Sequence, residues 1–342
     1  MKRVLKIILL ILVIFIVGLF LYLFVGSTKQ AENIKWGITF SKGYASDFEP
    51  DWQKMFLSIL DDLKVKNFRL VAYWSEIEKV QGKYDFQDLD WQINEVSKRG
   101  GEIILTVGRR LPRWPECFEP DWVKSAQGGS SLDEAKKQEL IISYIRETIN
   151  RYKENKNIKI WQIENEPFLR TFGICPKLDK KFLDKEIALV RYLDSPSTGS
   201  GQARPVMITE SGEFSTWIGG AKRGDIIGSS VYRTVYGKLG YVTYPIPPVF
   251  YYRKANLIKL LFPQKRIIST EVQAEPWGTK PVKQMTKEES DVSLSIEKFN
   301  KNIEYAKKTG FDEMYLWGVE WWYWRKMNGD DSYWNRAKEL FK

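Results

Sequence analysis

The 342-residue chain contains no histidine and only two cysteines. Without histidine there is no Ser-His-Asp triad and no His-ligated zinc or iron site. Two thiols are too few for a four-thiolate metal centre. Proton transfer near neutral pH must then use Glu, Asp, Lys, Tyr or Cys. No G-x-G-x-x-G phosphate turn occurs, which argues against a doubly wound dinucleotide-binding sheet. Low-complexity tracts are also missing. Nothing in the chain calls for a cofactor or a metal.

Charge of one sign is in excess but nowhere concentrated. Lys and Arg number 53 against 43 Asp and Glu, a net charge of +10. The basic residues are dispersed, often beside acids, and no nucleic-acid motif accompanies them, so nucleic acid is not an expected partner. An anionic membrane surface or an acidic envelope polymer suits this balance better. Oligomeric state leaves no trace in the sequence.

Aromatics are plentiful, with 14 Trp, 17 Tyr and 18 Phe. Many of the tryptophans fall in expected loops. There an aromatic face can serve as a platform for the apolar side of a sugar, while about half of these rings are expected to pack the barrel instead.

The N-terminus has Lys2, Arg3 and Lys6 ahead of nineteen apolar residues from Ile7 to Val25. That is about 28 Å of helix, close to the hydrocarbon thickness of a bilayer. A signal peptide usually has a shorter run and a small-residue cleavage site. Residues 1–27 are therefore read as an uncleaved signal anchor or transmembrane helix, with 28–34 as a linker. Basic residues before the helix keep the N-terminus cytoplasmic and put the body outside. Were the segment cleaved, the body would be secreted.

From residue 35 onward, short β-branched or apolar runs alternate with longer segments of helical period, as in βα units on a parallel sheet. Strands are expected at 36–40, 67–71, 102–107, 158–163, 205–209, 225–229, 266–270 and 313–317. Helices are expected at 51–64, 89–98, 131–152, 180–193, 215–222, 255–262, 291–309 and 331–341. Eight such units close a single-domain α/β (β/α)8 TIM barrel over residues 35–342. The extra length falls in loops after strands three, four and six, on the face where barrel active sites form.

Two carboxylates end strands on that face. Strand four runs into Glu164-Asn165-Glu166-Pro167, and strand seven into Thr270-Glu271. Retaining glycosidases need such a pair about 5–5.5 Å apart: one acid protonates the leaving oxygen and the other attacks the anomeric carbon. The chain here resembles the clan A glycoside hydrolases, which include the family 5 cellulase-like enzymes. That resemblance implies Glu166 as acid/base, Glu271 as nucleophile, and Asn165 as a ligand of the sugar 2-hydroxyl. It also implies Arg69 and Tyr232 as partners of the nucleophile. The aromatic floor after strand eight falls to Trp317, with Trp321 and Trp322 next. The stretch Tyr73-Trp74-Ser75-Glu76-Ile77-Glu78 looks like the second βα loop of such enzymes, adding Trp74 as a substrate contact, and Glu320 is a further candidate. Many family members carry a histidine after strands three or six; here Arg109 and Arg110 follow strand three instead, which leaves the substrate subclass open.

Several of these assignments have rivals. Glu164 could be the acid. Glu210 and Glu320 could hold substrate or sit in structural ion pairs. Arg109, Arg110 and Arg113 near the cleft hint weakly at an acidic sugar. Cys117 and Cys175 lie in neighbouring loops of one barrel face, where an oxidising exterior permits a disulfide, against the alternative of two buried thiols. The expected activity is hydrolysis of O-glycosidic bonds, with β-linkage favoured, in an oligo- or polysaccharide. Transglycosylation at the same site and a non-catalytic carbohydrate-binding barrel are the alternatives.

Overall fold

The computed structural model describes residues 2–124, 132–196 and 203–342. Eight parallel strands close on themselves: β1 (Lys35–Thr39), β2 (Asn67–Val71), β3 (Glu102–Val107), β4 (Ile158–Ile163), β5 (Val206–Glu210), β6 (Ile226–Val231), β9 (Arg266–Gln273) and β10 (Glu313–Trp317). Two short strands, β7 (Thr234–Gly237) and β8 (Gly240–Thr243), form an antiparallel hairpin between the sixth and seventh barrel strands.

Four strands have the bounds expected from the sequence, and the seventh runs on to Gln273. The helices depart more. The expected helix 291–309 divides at Ser295, whose extended backbone caps the second part, Ile296–Lys307. The expected helix 255–262 begins earlier, at Pro248, where the ring's fixed φ suits the first helical turn. The expected helix 215–222 shrinks to Ile218–Ala221. Ser131, the expected start of the third helix, lies outside the described residues, and the helix there is Glu134–Tyr152. The helices Lys42–Phe48 and Val319–Met327 and the hairpin lack a long enough periodic pattern to be read beforehand.

The barrel interior is stacked in layers. Ile104, Ile160, Met207, Ile226, Ile268 and Tyr315 form an apolar plug at its lower level. Gly37 on β1 makes room for the Tyr315 ring, because a Cβ there would stand 2.6 Å from it. One level up the interior turns polar. Gln162 on β4 accepts from Arg69 Nε at 2.7 Å and from Thr106 Oγ1 at 3.2 Å. The plug keeps water away from below, and the polar layer fixes the buried Arg69 at the base of the mouth.

The N-terminal helix Lys2–Phe24 has no buried residue. It is long and apolar enough to cross a membrane. Its last turn rests on the helix Pro248–Leu261: the rings of Phe24 and Phe250 are 5.1 Å apart, and the Arg253 guanidinium sits 4.9 Å from the Tyr22 ring.

Candidate active site

The chain leaves β4 through a tight turn. Glu164 and Glu166 both have left-handed backbones, with φ of 58° and 42°. Such conformations are costly for residues with a Cβ and persist only where the surroundings hold them. The holding groups are visible here. Both oxygens of Glu164 accept backbone N–H groups, from Arg109 at 2.7 Å and Arg110 at 2.6 Å. Gly108 leaves space for that carboxylate, since a Cβ there would stand 2.5 Å from Glu164 Oε1. The Glu166 N–H donates to Thr209 Oγ1 at 2.8 Å. Asn165, between the two, accepts from Arg69 Nη2 at 2.7 Å and Thr209 Oγ1 at 3.2 Å, and its amide N–H donates to Glu116 at 3.4 Å.

Across the mouth, Glu271 on β9 accepts from Arg69 Nη1 at 2.9 Å and from the Tyr232 hydroxyl at 3.0 Å. Arg69 therefore ties Asn165 and Glu271 together with one fully buried guanidinium. Glu166 accepts a hydrogen bond from Ser230 Oγ at 3.0 Å. Both carboxylates are nearly dry, 7% exposed for Glu166 and 5% for Glu271.

Their electrostatic settings differ. Burial pushes the Glu166 carboxyl well above the usual carboxylate range, and the charges of Glu271, Glu116 and Glu213 push the same way. Glu271 instead faces a guanidinium and a phenol. Burial and the Glu271 charge raise the Tyr232 phenol well above its usual value, so it remains a donor. One buried carboxyl is thus disposed to keep its proton while the other is supplied with donors for its anion, the division acid–nucleophile chemistry requires.

Two further carboxylates stand behind this pair, and sequence reasoning missed both. Glu116 on the loop after β3 is held by Arg110 Nε at 2.7 Å; burial raises it to about 7, against the pull of Arg110. Glu213 on the loop after β5 accepts from the Tyr232 N–H at 2.7 Å, the Tyr251 hydroxyl at 2.7 Å and Ser230 Oγ at 3.1 Å. The Ser230 hydroxyl has one proton and lies within reach of both Glu213 and Glu166. With Glu213 accepting it, the Ser230 oxygen is free to accept from a protonated Glu166.

Other expected site residues sit elsewhere. Trp74 is fully buried: its indole N–H donates to Glu78 at 2.7 Å and its ring stacks on Tyr144, so it is core and touches no cleft. Trp321 is 1% exposed and packs edge-on against Tyr333; Trp322 donates to the Ala274 carbonyl. The helix Val319–Met327 turns both rings inward. Glu320 has no exposed surface and is spent on the Ser41 N–H at 2.7 Å and Arg113 Nη2 at 2.8 Å, a structural role. Glu164 is likewise bound beneath the β3 loop, and Glu210 is used by Ser215 and the Gly220 N–H. Trp317, at the end of β10, donates to Glu275 at 2.7 Å with Arg113 stacked 4.2 Å from its ring. Arg109, Arg110 and Arg113 are each paired with glutamates, which removes the hint of an acidic sugar. Cys117 and Cys175 are joined by a disulfide with Cα atoms 5.4 Å apart. Among the described residues no group of Cys, Asp and Glu is arranged to hold a metal ion.

Comparison with known proteins adds to this geometry. The glycoside hydrolase family 42 model, described as beta-galactosidase, matches residues 47–194. Beta-galactosidase LacZ of Lactobacillus acidophilus is 25% identical over 36% of the chain, and BgaA of Clostridium cellulovorans 26% identical over 48%. Those stretches span only 21% and 26% of the two relatives. Among solved structures, the cold-adapted beta-galactosidase of Rahnella sp. R3 superposes with a TM-score of 0.57 at 13% identity, covering 93% of this chain and 57% of its own. The GH5_18 protein of Bifidobacterium longum gives 0.56 at 13% identity, covering 83% and 68%. At that identity the superpositions speak for the fold alone, and the family model adds a sequence likeness over residues 47–194. The chain is thus similar to the clan A glycoside hydrolases, in sequence over residues 47–194 and in fold over most of its length.

Proposed function

We propose that this protein is a retaining glycosidase that cleaves β-linked sugars, with Glu166 as acid/base and Glu271 as nucleophile. The observation that carries the reading is the contrast between two buried carboxyls in one mouth: Glu166 is pushed toward its neutral form, and Glu271 is supplied with Arg69 and Tyr232. Protonated Glu166 gives its proton to the departing oxygen as Glu271 bonds to the anomeric carbon. The glycosyl–enzyme is then opened by water, with Glu166 now the base. Asn165, held by Arg69 and Thr209, offers its amide N–H to the sugar. The beta-galactosidase relatives support β-galactosides as the first substrates to try, and the basic body with its apolar leader supports an envelope or extracellular glycan. A product-release screen over β-glycosides and β-linked oligosaccharides, with the anomer followed by NMR, tests this. Inverted product would overturn the retaining mechanism, and no cleavage of any member would overturn the activity.

The placement of Glu213 predicts a pH effect. A carboxyl raised in the folded enzyme keeps its proton to higher pH, so activity needing protonated Glu166 falls as pH rises through that value. Glu213→Gln removes one of the charges that hold it up. The alkaline limb of kcat/KM is expected to move to lower pH, while the acidic limb stays. An unmoved alkaline limb in a folded variant would remove Glu213 from this role.

The helix Lys2–Phe24 is proposed as a membrane anchor with the barrel outside. Protease added to intact cells is expected to release the body and leave a small membrane-bound stub. Recovery of a soluble protein lacking the segment would sink the anchor and leave the outside location standing.

A further inference from the structure

An aromatic row leads away from the proposed reaction centre, and the chemistry above makes no use of it. Tyr232, whose hydroxyl touches Glu271, meets the Trp277 ring at 5.3 Å between centroids. Trp277 meets Phe172 at 5.4 Å, and Phe172 meets Trp114 at 5.7 Å. Trp277 and Phe172 are half-buried, whereas Trp114 at the outer end is 62% exposed.

That exposed ring is firmly held. Its neighbour Arg113 lies buried, paired with Glu275 and Glu320, its guanidinium between the rings of Tyr44 at 3.8 Å and Trp317 at 4.2 Å. Three residues after Trp114, Cys117 is bonded to Cys175, which ties the Trp114 loop to the loop carrying Phe172. Arg110 closes the same junction by donating to the carbonyls of Leu169 at 2.5 Å and Phe172 at 2.9 Å. Arg113 and Glu116, on either side, both have left-handed backbones, φ 88° and 71°. Backbone strain and a desolvated ion cluster thus flank a large apolar ring that stands in water. A ring needed only for packing is ordinarily turned inward. Fixed aromatics on the wall of a cleft present a flat face to the C–H side of a sugar at little entropic cost.

We propose that Trp114, backed by Phe172 and Trp277, is a carbohydrate subsite beyond the one where the bond is cut, recognising a β-linked chain longer than a disaccharide. The inference rests on the glycosidase reading and adds chain length as a determinant of specificity.

The test compares kcat/KM for β-linked gluco-, galacto- and manno-oligosaccharides of two to five sugars with kcat/KM for the 4-nitrophenyl β-glycosides of the same sugars. It uses the full chain in detergent micelles. The unaltered protein is expected to favour the longer chains. In Trp114→Ala the ratio of oligosaccharide to aryl-glycoside kcat/KM is expected to fall about 2- to 13-fold, the range of one aromatic contact, chiefly through KM. Trp114→Tyr, which keeps a flat ring, is expected to restore most of the ratio. Equal losses on both substrate classes would make Trp114 a structural residue and overturn the subsite. So would an unchanged ratio, including one accompanied by altered self-association. Aryl-glycoside cleavage with no gain from chain length in the unaltered protein overturns the subsite alone, whereas no cleavage of any member fails the glycosidase reading first.

Discussion

Glu271→Gly is expected to lower turnover by roughly 10⁴-fold or more, the scale of losing a covalent nucleophile. An added small anion such as azide is expected to recover part of it on an activated aryl glycoside. The substitution removes the bond-forming carboxylate and leaves Arg69 buried with no carboxylate on its Nη1. That costs stability, because a buried charge without its partner is strongly unfavourable. Arg69 keeps Gln162 and Asn165 as acceptors, which limits the damage. Azide fits the vacated volume, restores a negative charge beside Arg69 and can attack the anomeric carbon from the side Glu271 used. One displacement in place of two gives a glycosyl azide of inverted configuration. Thermal melting with and without azide separates this chemistry from a folding defect. Full activity of a folded Glu271→Gly protein on a confirmed substrate would mean that the site has been misidentified.

Glu166→Ala is expected to affect substrates unequally. For a sugar leaving group, loss of the acid should slow cleavage about 10²- to 10⁴-fold, the usual contribution of general acid catalysis. A 4-nitrophenolate departs without a proton, so that bond should still break at a rate near the native one. Hydrolysis of the glycosyl–enzyme then lacks its base. Stopped-flow measurements are expected to show a burst of phenolate followed by slow turnover. Azide needs no base and should speed the second step, here giving a product of retained configuration. The two variants therefore differ in the stereochemistry of their azide products, which assigns the two roles separately. Equal slowing of activated and unactivated substrates, with no burst, would deny Glu166 the acid role.

The strand ends were the most legible part of the chain. Period-two and buried apolar runs set β2, β3, β4 and β10 to the residue, and strand order in a barrel then puts Glu166 and Glu271 on one face. Arg69, in the middle of β2, and Tyr232, just after β6, are placed only by the resemblance to the clan A glycoside hydrolases. Trp74 and Trp321 could not be placed, because sequence reveals that a tryptophan follows a strand and not which way the next turn rotates it. The short helix Trp74–Ile77 aims the first ring at Glu78, four residues on, and Val319–Met327 buries the second. Glu116 and Glu213 escaped notice for another reason. Their contacts are remote in the chain, 49 residues from Glu116 to Asn165 and 17 from Glu213 to Ser230. Both stand on irregular loops, where no periodicity marks a residue as inward-facing.

The short connection between the N-terminal helix and the barrel limits how far the two can separate. The helix ends at Phe24 and β1 begins at Lys35, so even a fully stretched connection spans no more than about 35 Å. Part of that slack is taken up where Phe24 and Tyr22 rest on the helix Pro248–Leu261. With the helix in a bilayer as proposed, the barrel would ride close to the lipid surface, able to spin about its stalk and drift laterally but not to reach outward. Its catalysis would then be a surface reaction, with a rate set by how many sugar chains lie within one molecular diameter of the membrane. Material in the surrounding medium would first have to be delivered there.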